Sequence, residues 1–372
     1  MWRQLPPAGS PISLYRSRSK HPEFVGYGVR WLASGTAAIS LAFSASIRRS
    51  QSVSHPEVIL PAYGCPDLVA AAIHAGAKPV VVDVSDGDPG FNLESLKSAL
   101  NGNTVAVVAV NFLGISERLP EIREALRPFP NAQLIEDNAQ WYPLGDHQLQ
   151  GDYVCFSFGR GKPVSLLGGG ALLVPEGHER YVSEVRKAPA PSPWSSTVRR
   201  IKLAAYNALI HPRCYGAVAR LPFLSLGAVV YKPLSIVDEM SPNLLAILDE
   251  NIRRYRSRDR WVEKEIGAIV DPEESLPYRL KHRVGQLLRF PVLCRDKRQR
   301  DARLLALTRA GLGASALYRV PLPEVSGVSD LVRPTMDYPH AAAFAGRLLT
   351  LPTHQEVRLK DVRQIAEILA RP

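Results

Sequence analysis

The chain reads as an α/β protein, a large domain on a mainly parallel sheet followed by a smaller α/β domain. Three observations predict this. From about Trp31 to Val174 short apolar runs alternate with helix-like segments. The 372 residues exceed what one small core organises. With 46% apolar and 22% charged residues there is enough apolar surface to offset the entropy of ordering the chain.

The strand candidates are Glu57–Leu60, Pro79–Val84, Val105–Val110, Ala132–Asp137, Tyr153–Phe158 and Ala171–Val174, several of them nearly continuous Val, Ile and Ala. Such runs suit strands buried on both faces. Between them Pro66 starts a helix that Gly76 ends, and Asn92 caps another that runs to Leu100. These are the crossovers of a parallel sheet, so a ligand site is expected beyond the carboxyl ends of the strands.

After the sheet, Lys187 to Ser196 reads KAPAPSPWSS, a Pro-rich linker or extended crossing. From Ser195 to Lys232 there are six Lys and Arg and no Asp or Glu, with Val198, Ile201, Ala205, Ala208 and Leu209 on one helical face. A long Arg-rich helix is expected over Asn243 to Trp261. The tail offers a strand over Arg289 to Cys294 and helices over Asp301 to Ala310 and Lys360 to Ala370. The expected organisation is an N-terminal segment 1–25, a large domain 26–236 carrying the Pro-rich and basic insertion 187–236, and a small domain 237–372.

Composition narrows the function. Met1 to Lys20 lacks the apolar stretch of a secretion signal, and nowhere do about 18 uncharged apolar residues run together. Cys65, Cys155, Cys214 and Cys294 stand far apart without C-x-x-C spacing, which suits reduced thiols in cytoplasm. The formal charge is +11, yet over Asn251–Ala310 the 16 Lys and Arg are mixed with 8 Asp and Glu and no nucleic-acid module is present. An anionic small substrate answers the charge better. None of the nine histidines shows metal-ligand spacing.

The stretch with chemistry is Cys155-Phe-Ser-Phe-Gly-Arg-Gly-Lys162, which leaves a buried strand into a glycine-rich loop. A lysine that forms a Schiff base must be unprotonated part of the time, and burial or a cation such as Arg160 lowers its pKa. A surface lysine in a turn fits this stretch alone equally well. Asp137 ends the strand Leu134-Ile-Glu-Asp, where a carboxylate pairs with a pyridine nitrogen or caps a helix. Ser34-Gly35-Thr36 precedes a helix and is suited to a phosphate at its positive end, with Ser157 as a second hydroxyl; a simple N-cap reads the same.

Taken in order, Ser34-Gly-Thr-Ala-Ala, Val58-Ile-Leu-Pro-Ala-Tyr, Gly76-Ala-Lys-Pro-Val-Val-Val-Asp83, Ile135-Glu-Asp-Asn-Ala-Gln140 and Phe156-Ser-Phe-Gly-Arg-Gly-Lys162 resemble the DegT/StrS family. The resemblance resumes at Arg289-Phe-Pro-Val-Leu and Leu349-Thr-Leu-Pro-Thr-His354. It implies a fold-type I pyridoxal-phosphate transferase with a seven-stranded sheet, an aminotransferase moving an amino group from glutamate or a similar donor to a nucleotide-linked keto sugar in surface polysaccharide or glycoconjugate biosynthesis, and a homodimer. It also implies Lys162 as Schiff-base and proton-shuttling lysine, Asp137 on the ring nitrogen and Gln140 near the phenolic oxygen. Gly35, Thr36 and Ser157 then hold the phosphate, with pyridoxal 5'-phosphate as cofactor.

Three positions depart from the family. Cys65 stands where an aromatic residue or His stacks on the ring, with Tyr63 nearby. Val237-Asp-Glu239 stands for Asn-Tyr-Arg, and Leu167-Gly-Gly-Gly170 for Gly-Glu-Gly-Gly. Two competitors follow: a sugar dehydratase on the same framework, against which Lys162 argues, and a non-catalytic sensor or assembly protein, which the missing aromatic favours. The basic insertion either covers the active site or dimer surface or lies on anionic lipid, with Ile201, Leu203, Leu209, Ile210 and Leu221-Pro-Phe223 inward. His354 is expected to be structural, near a domain joint.

Overall fold

The computed structural model describes residues 3–17, 23–144, 149–219, 229–335 and 337–371. The strands are β1 (Tyr27–Leu32), β2 (Glu57–Pro61), β3 (Lys78–Val82), β4 (Thr104–Val110), β5 (Gln133–Asp137), β6 (Tyr153–Ser157), β7 (Gly170–Pro175), β8 (Arg289–Leu293), β9 (Arg333–Pro334) and β10 (Leu348–Pro352). The helices are α1 (Gly35–Arg49), α2 (Asp67–Ala75), α3 (Leu93–Ala99), α4 (Leu119–Leu126), α5 (Pro193–Ile210), α6 (Pro212–Val218), α7 (Pro242–Arg256), α8 (Trp261–Ile269), α9 (Leu276–Arg279), α10 (Lys297–Arg309), α11 (Pro339–Arg347) and α12 (Leu359–Leu369).

The main sheet runs β1-β7-β6-β5-β4-β2-β3-β9 and is parallel except at β7, which is antiparallel to both neighbours. Its central strands β2, β4 and β5 are buried almost throughout, β4 as a nearly continuous Val and Ala run, β2 and β5 with apolar centres and polar residues at their ends. The helix signals fall as expected. Ser34 accepts the Ala37 N–H at 3.1 Å, the Asn92 side chain accepts that of Ser95, and Gly76 closes α2 at φ 80°.

Several expectations need correction. The sheet has eight strands among the described residues, not seven, because β9 pairs with β3 at Val80 and Val81. The main sheet therefore does not end before the Pro-rich stretch. That stretch is only half a linker: Ser192 and Ser195 form a capping box and Pro193 opens α5. The Arg-rich helix expected to reach Trp261 stops at Arg256, and Trp261 begins α8 instead. Leu221-Pro-Phe223 lies outside the described residues.

The second sheet is the antiparallel pair β8 and β10. Arg303 crosses behind it, buried, donating to Glu274 at 2.7 Å and to the Leu369 carbonyl at 2.7 Å. The N-terminal residues run over this part of the chain. Leu5 is fully buried with its N–H on the Gly311 carbonyl, Arg3 pairs with Asp361 at 2.8 Å, and Ser13 exchanges hydrogen bonds with Asn251.

Candidate active site

The carboxyl ends of β5 and β6 carry Asp137 and Ser157, and α1 begins beside them. The close approach rests on glycines. A Cβ on Gly35 would lie 2.5 Å from Ser157 Cβ, and one on Gly170 would lie 2.4 Å from the Ser34 carbonyl oxygen. Only hydrogen at both positions lets the helix N-terminus press against β6 and β7. Leu167 has φ 61° in the turn that delivers Gly168, Gly169 and Gly170, a strained conformation for a side chain with Cβ.

Asp137 is buried, and its Oδ1 accepts the Ala139 N–H at 2.9 Å. Residues 138–144, which follow it, form no helix, so it is not a helix cap. Burial pushes its carboxyl above the usual range, while the Ala139 hydrogen bond and the Lys162 charge pull it back. The same lysine opposes the rise of the Cys65 thiol, which burial and Asp67 push up to about 11. Lys162 is half-buried at the end of a turn through Gly161, at φ 73°, with its N–H on the Gly159 carbonyl. An exposed surface lysine is therefore the wrong picture, since the side chain is half-buried and its charge acts on the buried Asp137 and the half-buried Cys65.

Gln140 is held at both ends of its amide. Oε1 accepts the Leu113 N–H at 3.2 Å and Nε2 donates to Tyr318 Oη at 3.1 Å. Tyr318 was not visible in the sequence as a site residue. Burial pushes its phenol well above the usual range, and Cys65, within hydrogen-bonding reach, adds to the rise. Its only sequence signal is the extended, Pro-punctuated Leu317-Tyr318-Arg-Val-Pro321.

Two side chains are engaged otherwise than expected. Thr36 Oγ1 donates to Asp67 Oδ2 at 3.1 Å, which leaves the backbone N–H groups at the start of α1 for an anion. Tyr63 is fully buried, edge-on to Phe344 at 4.8 Å, Tyr318 at 5.4 Å and Phe112 at 5.5 Å. It cannot replace a stacking residue at Cys65. The Asn-Tyr-Arg substitute is likewise occupied within its own chain: Asp238 pairs with Arg186 at 2.7 Å, its carbonyl accepts the Ala33 N–H, and Met240 donates its N–H to Trp31. His354 is buried with Nε2 2.9 Å from the Pro6 carbonyl and its pKa lowered to about 4 by burial, which fits the structural role expected of it.

Comparison with known proteins gives the setting. The model of the DegT/DnrJ/EryC1/StrS aminotransferase family matches residues 26–188 and 242–370. A UDP-N-acetyl-3-dehydro-alpha-D-glucosamine 3-aminotransferase of Acidithiobacillus ferrooxidans is 27% identical over 355 residues, 93% of this chain and 84% of that protein. A UDP-4-amino-4,6-dideoxy-N-acetyl-beta-L-altrosamine transaminase of Campylobacter jejuni is 24% identical, covering 91% of this chain and 83% of that one. The PLP form of Spr1654 of Streptococcus pneumoniae superposes with a TM-score of 0.64 at 19% identity, over 92% of this chain and 86% of that chain. The shared architecture is the fold-type I one.

Proposed function

The chain belongs to the DegT/DnrJ/EryC1/StrS aminotransferase family, and from that premise we propose that it transfers an amino group from glutamate, or a similar donor, to a nucleotide-linked keto sugar. Pyridoxal 5'-phosphate is the cofactor, a UDP-linked sugar the acceptor class, and glycan biosynthesis the setting. The observation that carries the reading is the pair Asp137 and Lys162, a buried carboxyl at the end of β5 and a half-buried amine on the loop that leaves β6, with the lysine's charge lowering the carboxyl's pKa.

The residues fit the cofactor. Among the described residues Asp137 forms no ion pair, and a carboxylate so buried is stabilised by a cation such as a protonated pyridine nitrogen. Without a Cβ, Gly35 lets the start of α1 lie against Ser157, which brings the first amides of the helix and the Ser157 hydroxyl side by side. When bound, the cofactor supplies an electron sink that makes a proton on the donor's α-carbon removable.

Lys162 would be the base that removes that proton and the acid that gives one back, in the donor half and again in the sugar half. Asp137 would keep the ring nitrogen protonated. Gly35 and Thr36, through their backbone N–H groups, and the Ser157 hydroxyl bind the phosphate. Gln140, fixed by Tyr318 and Leu113, would donate to the phenolic oxygen, and Cys65 would stand in the place of the stacking residue as a neutral thiol. The working unit is a homodimer in the cytoplasm, where four unpaired cysteines stay reduced.

The test is the near-ultraviolet and visible spectrum with pyridoxal phosphate for wild type and Lys162→Ala, before and after glutamate. A lysine-dependent band that glutamate shifts supports the reading. Without a lysine-dependent band the assignment fails; a band that no amine donor shifts moves the non-catalytic alternative, favoured by Cys65, to the front.

A further inference from the structure

Helix α5 has two apolar faces and uses only one of them. Leu203 and Ile210 are buried, and Asn207 between them exchanges hydrogen bonds of 2.8 and 2.9 Å with the backbone of Ile12, so this face is fastened to the protein. On the opposite face Trp194 is 76% exposed, Ile201 62% and Leu209 48%, with Ala205 and Ala208 exposed between them. At 100° per residue these five form one stripe along a helix of roughly 27 Å. The sequence face running through Ile201 and Leu209 is real but points outward, and the expected inward set is split: Leu203 and Ile210 pack on the protein, Ile201 and Leu209 do not.

The charge around the stripe has one sign. Between Glu184 and Asp238 the sequence holds eight Lys and Arg and no acidic residue. Arg200 and Lys202, both exposed, flank the stripe on its two sides, and Arg213 follows on α6. The family model breaks off at 188 and resumes at 242, so α5 lies outside what the family shares.

We propose that the outward face of α5 seats on an anionic phospholipid surface, with Trp194, Ile201 and Leu209 entering the interface and Arg200 and Lys202 meeting headgroups. Lipid is favoured over a second copy by charge complementarity. Two copies paired through this stripe about a twofold axis would bring Arg200 and Lys202 of each against a segment without a single acid, whereas anionic headgroups supply the missing sign. The inference stands independently of the aminotransferase reading.

The test uses the full chain and two sets of vesicles, phosphatidylcholine alone and phosphatidylcholine with phosphatidylglycerol. Cosedimentation is expected with the anionic vesicles only, weakening as salt rises. Ile201→Ser should lower the bound-to-free ratio roughly tenfold, as loss of one inserted aliphatic side chain implies. Arg200→Gln and Lys202→Gln should each lower it about fivefold. Because these side chains are exposed, the melting temperature should hold, and Trp194 emission, isolated by comparison with Trp194→Phe, should move to shorter wavelength on vesicle addition. Equal pelleting with both vesicle types overturns the proposal. So does Ile201→Ser that leaves vesicle pelleting as it was but turns a dimer into a monomer in sedimentation velocity, which assigns the face to a second copy.

Discussion

Replacing Gly35 by alanine adds one carbon where the structure has no room. That carbon would sit 2.5 Å from Ser157 Cβ, 2.8 Å from its Oγ and 3.2 Å from its Cα. Nonbonded carbons rest at about 3.5–4.0 Å, so the start of α1 and the end of β6 must part by roughly 1 Å. Overpacking of this kind costs about 1–3 kcal/mol. With unfolding entropy of about 2.1 cal/mol/K per residue, a chain of 372 residues has roughly 0.8 kcal/mol/K, and the melting temperature should fall by roughly 1–4 °C. The same 1 Å takes the first amides of α1 off a bound phosphate; one charge-assisted hydrogen bond lost, about 1.5–3 kcal/mol, weakens pyridoxal phosphate by roughly 10- to 150-fold. Thermal melts with and without cofactor and equilibrium dialysis read the two effects separately. A lowered melting temperature with wild-type cofactor affinity would refute the phosphate cradle while keeping the packing; neither effect would refute both.

Asp137→Asn should retain cofactor but lose about a hundredfold or more in the glutamate half-reaction, measured by stopped-flow absorbance, because an amide no longer holds the ring nitrogen protonated. Tyr318→Phe strips the partner from a buried Gln140 amide nitrogen, at about 1–3 kcal/mol. Its melting temperature should drop and the absorbance maximum of bound pyridoxal phosphate should move; an unchanged melt and spectrum would remove Tyr318 from the site. His354 gives a pH dependence. Its folded pKa of about 4 lies below the ordinary 6.5, so between those values the unfolded chain binds the proton first. Stability contributed by neutral His354 is intact above about pH 6.5 and is lost as pH falls toward 4, by roughly 3 kcal/mol. Urea midpoints across that window should fall more steeply for wild type than for His354→Gln, and parallel curves would show that the histidine is not the titrating group.

What the sequence makes legible here is what depends on neighbours along the chain. Buried parallel strands announce themselves because both faces must be apolar, and Ser34, Asn92 and Gly76 mark helix ends because capping is local. Strand β1 is partly exposed and carries Arg30 within Tyr27–Leu32, so it shows no continuous apolar run. Strand β9 is two residues long and includes a proline, and only its partner β3 makes it a strand. Tyr318 reaches Gln140 across 178 positions, a contact with no local signature. Helix α5 is the clearest case. Periodicity finds an apolar face through Ile201 and Leu209, but the face that packs is fixed by Asn207 bonding to Ile12, 195 positions away.

The departures from the family share one physical theme, which is that the site's supports come from within the chain. Where the family pattern places Asn-Tyr-Arg, Asp238 and the following Met240 tie Ala33 and Trp31, the residues that lead into Ser34 and Gly35, so this segment braces that turn from behind. Met240 also fills the space over Gly169, where a Cβ would meet its Cε at 2.7 Å. On the other side a small thiol replaces the stacking side chain. The aromatic mass lies one layer deeper, where Tyr63 packs edge-on to Phe112, Tyr318 and Phe344 and its hydroxyl bonds both backbone groups of Tyr318 at 3.3 Å. Tyr318 in turn holds Gln140. On the proposed assignment, a cofactor ring would be gripped by its edges, through Asp137, Gln140 and the turn at Ser34 and Gly35, more than by its face. Such a site would trade stacking for hydrogen bonds, and its hold on the cofactor would depend correspondingly more on Gly35 and Tyr318 keeping those groups in register.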